Sequence, residues 1–285
     1  MMRRFNSYIY LLVMIVLGTP AFANTAKYNL LQVGLQGGGT YHFVLSESMM
    51  QGGLGASGAF SFEIAHYKSH PTADLGFKTG FSLGFQHSAY KANFQQKYSN
   101  CDYYANQIDY TTSGQVHIQQ QQVFATLPLL FALYHRGVTW NIGMRFQVGL
   151  YEMSKQQLSN PVILAYYPAY GVHVTNELIT GRLVDDLPSQ SINRYSMTLN
   201  ALVSTEIGYE HRFSANSALG VLLYCNVGIW DKLPEPTHEP IIQVDPITDP
   251  LAPVPSVTIN DAQSSLLSST IPLQLGLKLY YAFTL

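Results

Sequence analysis

Seven charged residues stand on the polar side of alternating apolar and polar stretches: Glu63, Lys78, Arg145, Glu206, Glu210, Arg212 and Lys278. Four are basic and three acidic. If their polar sides converge on one interior, these groups must pair, because an isolated buried charge is very costly. The chemistry they support is a mixed-sign ion-pair network. His87-Ser88 sets a base beside a hydroxyl, the ingredients of acyl transfer. In an extended chain adjacent side chains point to opposite faces, so the two read as polar residues at a rim. His87 and His117 flank a polar stretch holding Asp102 and Asp109, but the spacing matches no metal-ligand pattern. No phosphate loop, nucleotide fingerprint or catalytic triad signature is present. The expectation is therefore no metal, no cofactor and no enzyme.

A second set is aromatic. Tyr98, Tyr103, Tyr104 and Tyr110 fall in one polar stretch; Tyr166, Tyr167 and Tyr170 fall in another. Tyr offers amphipathic contact area at little entropic cost, as binding surfaces use it. The same rings serve equally to pack loops on one another or to sit at headgroup level.

The elements that position these residues are strands. Ser196–Phe213 alternates almost without a break, with only Leu202 apolar on its polar side. That is far beyond the usual strand of about 5–6 residues and suits a tilted bilayer crossing of about 9–11 residues with extensions into water. Seven further stretches repeat the pattern: Tyr28–Gly38, Gly53–Tyr67, Ala73–Tyr90, His117–His135, Val138–Tyr151, Ala218–Trp230 and Ser268–Leu285. Gly37-Gly38-Gly39 is expected to permit a sharp bend, and Pro128 to interrupt its ladder.

Between strands, short and long connections take turns. Lys68–Thr72, Arg136-Gly137 and Ser214–Ser217 are tight turns. Lys91–Val116, Glu152–Arg194 and Asp231–Ser265 are long and read as loops, with a short hairpin such as Tyr170–Val184 inside the second. Short periplasmic turns and long external loops are the rule for outer-membrane barrels. An even count of strands joined into a ring leaves no edge in lipid. The predicted fold is all-β: an eight-stranded antiparallel up-and-down transmembrane β-barrel with short periplasmic turns and long extracellular loops. Eight strands leave an interior just filled by side chains, so the charged set is expected to plug it.

Composition agrees. Charged residues are 11% of the chain and aromatics 13%, with 20 Tyr; about 25% charged is usual for a soluble domain. Residues 1–23 carry a basic start at Arg3 and Arg4, an apolar run over Tyr8–Leu17 and Ala21-Phe22-Ala23, the marks of a cleaved secretory signal peptide. Residues 24–285 are then one barrel domain, delivered to the cell outer membrane. Without Arg3 and Arg4, 13 basic residues face 17 acidic ones, a net charge of −4, which argues against nucleic acid. Cys101 is placed in a loop and Cys225 in a strand, too far apart to pair.

The stretches VGLQGGGTYHF (33–43), LPLLFALY (127–134) and IPLQLGLKLYYAFTL (271–285) resemble the small outer-membrane β-barrel domain family, which includes PorT-like proteins and is akin to the OmpA barrel. The resemblance implies an eight-stranded outer-membrane barrel inserted by the barrel-assembly machinery. That machinery reads a terminal aromatic in the family; here Leu285 is last, with Phe283 and Tyr281 on the same face. No peptidoglycan-binding domain is expected after the last strand. Taken together, the reading is a non-enzymatic integral outer-membrane protein. It would have a structural or surface-binding role through its external loops, or a place in an envelope assembly. A passive, porin-like pore is the alternative, and a lipid A-modifying enzyme a third. Its partners would be outer-membrane lipid and lipopolysaccharide, with a protein or surface ligand at the loops.

Overall fold

Period-two alternation produces extended backbone wherever one face must be apolar and the other polar. The computed structural model describes residues 27–44, 50–70, 72–102, 104–175, 190–194, 198–214, 216–232, 239–245, 256–260 and 270–285. These form twelve strands: β1 (Lys27–Val44), β2 (Met50–Lys68), β3 (Asp74–Cys101), β4 (Gln107–His135), β5 (Val138–Tyr167), β6 (Val172–Thr175), β7 (Gln190–Arg194), β8 (Leu199–Ser214), β9 (Ser217–Lys232), β10 (Ile242–Asp245), β11 (Ser256–Ile259) and β12 (Thr270–Thr284). The expected signal peptide lies outside the described residues.

Eight strands pair in an antiparallel ring, in the order β1, β2, β3, β4, β5, β8, β9, β12 and back to β1. Followed from partner to partner, Leu30 leads through Ala65, Lys78, Leu130, Gly143, Ser204, Asn226 and Gln274 to Thr40. The circuit therefore returns to β1 ten residues further along. A stagger of this kind accompanies strands tilted by roughly 35–45°. So narrow a ring fits large inward side chains only beside small ones. Tyr280 faces Gly220 and Tyr224 faces Gly276 across adjacent strands, and a Cβ on either glycine would run into the neighbouring tyrosine. In the β3–β4 ladder, pairing stops at Thr79↔Leu129 and resumes at Ser82↔Thr126, passing over Pro128, which has no N–H to give. His135–Val138 turns through Arg136 and Gly137, both at positive φ, as a two-residue hairpin turn requires.

The three stretches expected as long loops are corrected by the structure. β3 runs on to Cys101 and β4 starts at Gln107, so most of Lys91–Val116 is paired strand. β5 continues to Tyr167, turns over residues 168–171 and pairs with β6, while β7 pairs lower on β5. The rest of the hairpin expected over Tyr170–Val184 is outside the described residues. Within Asp231–Ser265, β10 and β11 form a hairpin. Gly37-Gly38-Gly39 makes no bend either; all three glycines are paired on both sides within β1.

Alternation persists in these extensions, but its phase inverts. Up to Phe85 on β3 and Val123 on β4, apolar side chains point outward and polar ones inward. From the next row, His87↔Gln121, the outward residues are polar: Lys91, Asn93, Gln95, Lys97, His117, Gln119. The inward ones turn apolar: Tyr90, Ala92, Phe94, Ile108, Tyr110, Val116 and Ile118 are all buried. Together with Ile163 and Ala165 of β5 they form a core against Ile241, Ile242 and Val244 around β10. Ile241 N–H donates to Gln96 Oε1 at 2.7 Å, Val244 N–H to the Tyr98 hydroxyl at 2.8 Å, and Gln156 Nε2 to the Asn260 carbonyl at 2.8 Å. The hairpin thus covers a sheet that stands above the ring and has a core of its own.

A charge placed in that upper core should open it without opening the ring. Ile118→Asp, at a position 1% exposed, is expected to make residues 91–118 protease-sensitive in vesicle-inserted protein. The ring should keep its folded electrophoretic mobility. Loss of both together would mean that the upper sheet has no independent core.

Candidate functional site

Inward parity on five strands brings Glu63 (β2), Lys78 (β3), Arg145 (β5), Glu206 (β8) and Lys278 (β12) to one level of the lumen. Each residue is 1% exposed or less. Lys78 Nζ is 2.7 Å from Glu63 Oε2 and 3.0 Å from Glu206 Oε2. Lys278 Nζ is 2.5 Å from Glu63 Oε2 and 3.6 Å from Glu206 Oε1. Arg145 pairs with Glu206 through Nη2, stands 3.9 Å from Glu63 Oε1, and donates from Nε to Ser204 Oγ at 3.0 Å. Asn141 Nδ2 adds a donor to Glu206 at 2.7 Å. Each carboxylate is held by three cations from other strands, and the group spans the cross-section.

Glu210 and Arg212, expected in the same network, form a separate pair nearer the short-turn end. Arg212 Nε is 3.1 Å from Glu210 Oε1, and the Arg212 side chain is 36% exposed. Its guanidinium lies over Tyr134 at 4.1 Å and Tyr28 at 5.3 Å. The Tyr280 hydroxyl donates to Glu210 Oε2 at 2.9 Å, and Lys78 Nζ sits 5.7 Å from the Tyr280 ring. Tyr280 therefore separates the two charged layers.

On the long-strand side of the cluster lies an uncharged polar layer. Asn226 Nδ2 donates to Gln274 Oε1 at 3.0 Å, and Gln274 Nε2 reaches both Gln86 and Gln147 at 3.4 Å. Here the structure separates His87 from Ser88. His87 is on the outward face, while Ser88 is 1% exposed and 3.1 Å from Nε2 of His42, which also contacts Gln86 at 2.7 Å. Sequence reading missed His42. Its even number on β1 puts it inside, and Gly53 and Gly55 leave no side chain between it and β3. A hydroxyl beside an imidazole is a nucleophile–base pair in kind. Here both side chains are buried in the lumen, and His42 Nδ1 has no hydrogen-bond partner among the described residues.

Glu152 was missed for another reason. A bulge at Leu150 shifts the parity of β5, so even-numbered Glu152, Ser154 and Gln156 turn inward. A second bulge beside Asn160, at φ 50°, returns odd residues to the inside.

The seven tyrosines do not form one loop surface. Tyr98 and Tyr110 are strand residues stacked at 5.2 Å on the inner side, with Tyr110 3% exposed. Burial pushes the Tyr110 hydroxyl pKa up, and does the same more weakly to Tyr167, which packs against the upper core. Tyr166 stacks on His173 at 4.5 Å. Tyr104 and Tyr170 are exposed at turns, and Tyr103 is outside the described residues. Asp102 and Asp109, once weighed as metal ligands, are occupied otherwise. Asp102 accepts from the Asn106 side chain and from the backbone of Asn106 and Tyr104; Asp109 accepts from Gln107 and Ser99. These bonds hold both carboxyls below the usual aspartate range. Among the described residues no cluster of three metal-ligating side chains occurs. Cys101 and Cys225 are free thiols.

No known protein family matches the sequence, and no curated protein does. Similar solved structures include the outer membrane protease OmpT of Escherichia coli, 9% identical, with 94% of this chain and 99% of that one covered at a TM-score of 0.28. The translocator domain of the autotransporter NalP from Neisseria meningitidis is also similar: 9% identical, covering 98% and 95%, at a TM-score of 0.25. The strands found in place of the long loops overturn the reading of the chain as a protein acting through such loops. Neither match assigns a residue or an activity here.

The two charged layers should differ in cost. Glu206→Ala is expected to lose about 3–5 kcal/mol in urea unfolding from lipid vesicles, because it strands three buried cations. Added salt should not change that loss, since the site is beyond its screening. Arg212→Ala should lose only about 1 kcal/mol, its charge being partly in water.

Proposed function

We propose that the chain is an integral outer-membrane protein whose ring seals the bilayer from within and holds a folded sheet above the outer leaflet. The observation that carries this reading is the inversion of face polarity. Every strand of the ring presents large apolar side chains outward, among them Leu35, Phe62, Phe81, Phe131, Ile142, Ile207, Leu223 and Leu277, each more than a third exposed. A continuous apolar band of that extent does not occur on proteins surrounded by water. On β3 and β4 the band ends at the row His87↔Gln121, and the faces exchange character there. That is what strands passing from hydrocarbon into water require.

Aromatics mark the short-turn end: Trp140, Tyr209, Phe213, Tyr281 and Phe283 are exposed in one zone. Such girdles belong at headgroup level. Export by the signal peptide and insertion by the barrel-assembly machinery complete the route. Acyl chains and lipopolysaccharide are the partners of the band.

The interior is filled by the tyrosine, charged and amide layers in turn, so the ring is not a conduit. Reconstituted in planar bilayers, the protein should show no stable single-channel conductance.

The chain's own cysteines test its placement. Cys101 is exposed near the tip of the upper sheet, and Cys225 lies mid-band on the outward face of β9. In intact cells an impermeant maleimide is expected to label Cys101 alone, while a membrane-soluble reagent also reaches Cys225. Labelling of Cys225 by the impermeant reagent would remove the band from lipid.

A further inference from the structure

The outward face of the upper sheet carries a cleft of about 520 Å³ whose lining includes Lys97, Ser99, Gln107, Asp109, Tyr166 and His173. It stands on strands and not on loops. Ser99 pairs with Asp109, Asp109 with Tyr166 and Tyr166 with His173, so one continuous row crosses β3, β4, β5 and β6. Four strands about 4.8 Å apart make that row roughly 14 Å long. The volume falls within the usual range of small-molecule sites.

The chemistry along the row is graded. At one end the Tyr166 and His173 rings stack face to face at 4.5 Å with 27° between their planes, so each covers one face of the other and the pair keeps only its outer ring faces open. At the other, the Asp109 carboxylate is fixed by Ser99 Oγ and Gln107 Nε2, both at 2.7 Å. Asp109 keeps lone pairs to accept from a ligand, and Lys97 and Gln107 supply donors. One acid and one lysine balance, so the cleft selects neither an anion nor a cation. A flat ring face with alternating donors and acceptors beside it fits a neutral molecule with apolar C–H faces and a rim of hydroxyls.

We propose that this cleft binds a neutral oligosaccharide, with one sugar ring against an open face of the stacked Tyr166–His173 pair and the next reaching Asp109. Soluble sugar and the uncharged saccharide part of lipopolysaccharide share the relevant chemistry, a run of pyranose hydroxyls. The proposal stands on the upper sheet alone, so a soluble test on the full chain separates it from the reading of the ring.

Saturation-transfer NMR on the full chain, in a detergent without a sugar headgroup, tests it with three probes: maltotriose, chitotriose and a lipid-free, uncharged O-chain oligosaccharide. Transfer to at least one probe is expected. Tyr166→Ala should weaken that probe about tenfold, the worth of one aromatic ring face. Asp109→Asn should weaken it as well while the folded mobility is kept. Response to the trisaccharides assigns a soluble sugar; response to the O-chain oligosaccharide alone assigns the membrane's own glycan. Absence of transfer from all three at millimolar concentration, or transfer unchanged in both variants, overturns the proposal.

Discussion

Hydrocarbon offers no partner to a peptide group. Every N–H and C=O that crosses it must be bonded within the protein, and each one left over costs several kcal/mol. The ring of eight strands answers this demand, because each strand has two neighbours and none presents an edge to lipid. The rest follows from it. A circuit that returns ten residues along β1 tilts the strands and leaves a lumen only side chains can fill. Alternation then divides every strand between an outward apolar face and the lumen, where an apolar cluster of Leu30, Ala65, Ala132, Leu222 and Tyr280 fills the short-turn end. Apolar packing on the outward face is with lipid.

At the level of Glu63 and Glu206 the lumen is filled by charges that hold one another. Glu63 and Glu206 are each shared among Lys78, Lys278 and Arg145, and Asn141 and Ser204 take up remaining bonds. Buried ion pairs seldom add stability over an apolar filling. Their use here is in register. A slip of one residue in β8 would turn Glu206 into the lipid and Ile207 into the lumen, and a charge at the bilayer midplane costs about 2–4 kcal/mol. An apolar lumen would make the two faces alike and leave the register to the turns. The charged layer makes the wrong pairings expensive on five of the eight strands.

How much of this was legible depended on whether the phase of the alternation held. Within the ring it holds, and inward parity alone marks Glu63, Lys78, Arg145, Glu206 and Lys278 as lumen residues. It could not tell one layer from another, because height depends on stagger. Glu210 and Arg212 were therefore placed with the wrong group. Above the ring the alternation continues but its meaning reverses. Tyr90, Ala92 and Phe94 are apolar at positions where Lys78, Ser82 and Gln86 are polar, so composition suggested a polar loop where a strand runs. On β5 the bulge at Leu150 moved Glu152 to the other face, and Gly149 beside it reads in sequence like Gly143, an inward glycine of regular strand. His42 was obscured by the glycines before it, which read as a bend although they were paired.

The phase reversal also sets depth, and its numbers agree with the ring. On β3 the outward apolar residues run from Leu75 to Phe85, ten residue steps, before His87 begins the polar face. At about 3.3 Å per residue that is roughly 33 Å along the strand, and a tilt near 40° reduces it to about 25 Å of height. This is the height of the apolar band on outer-membrane barrels. Tilt comes from the stagger of the backbone pairing and the strand limits from side-chain polarity, two features that share no residue choice. Their agreement means that the outward apolar run is as long as the tilt demands. Because β3, β4 and β5 continue unbroken through the boundary row, the upper sheet keeps the tilt and twist of the ring. Its position above the membrane is therefore set by the same hydrogen bonds that keep the ring's edges out of lipid.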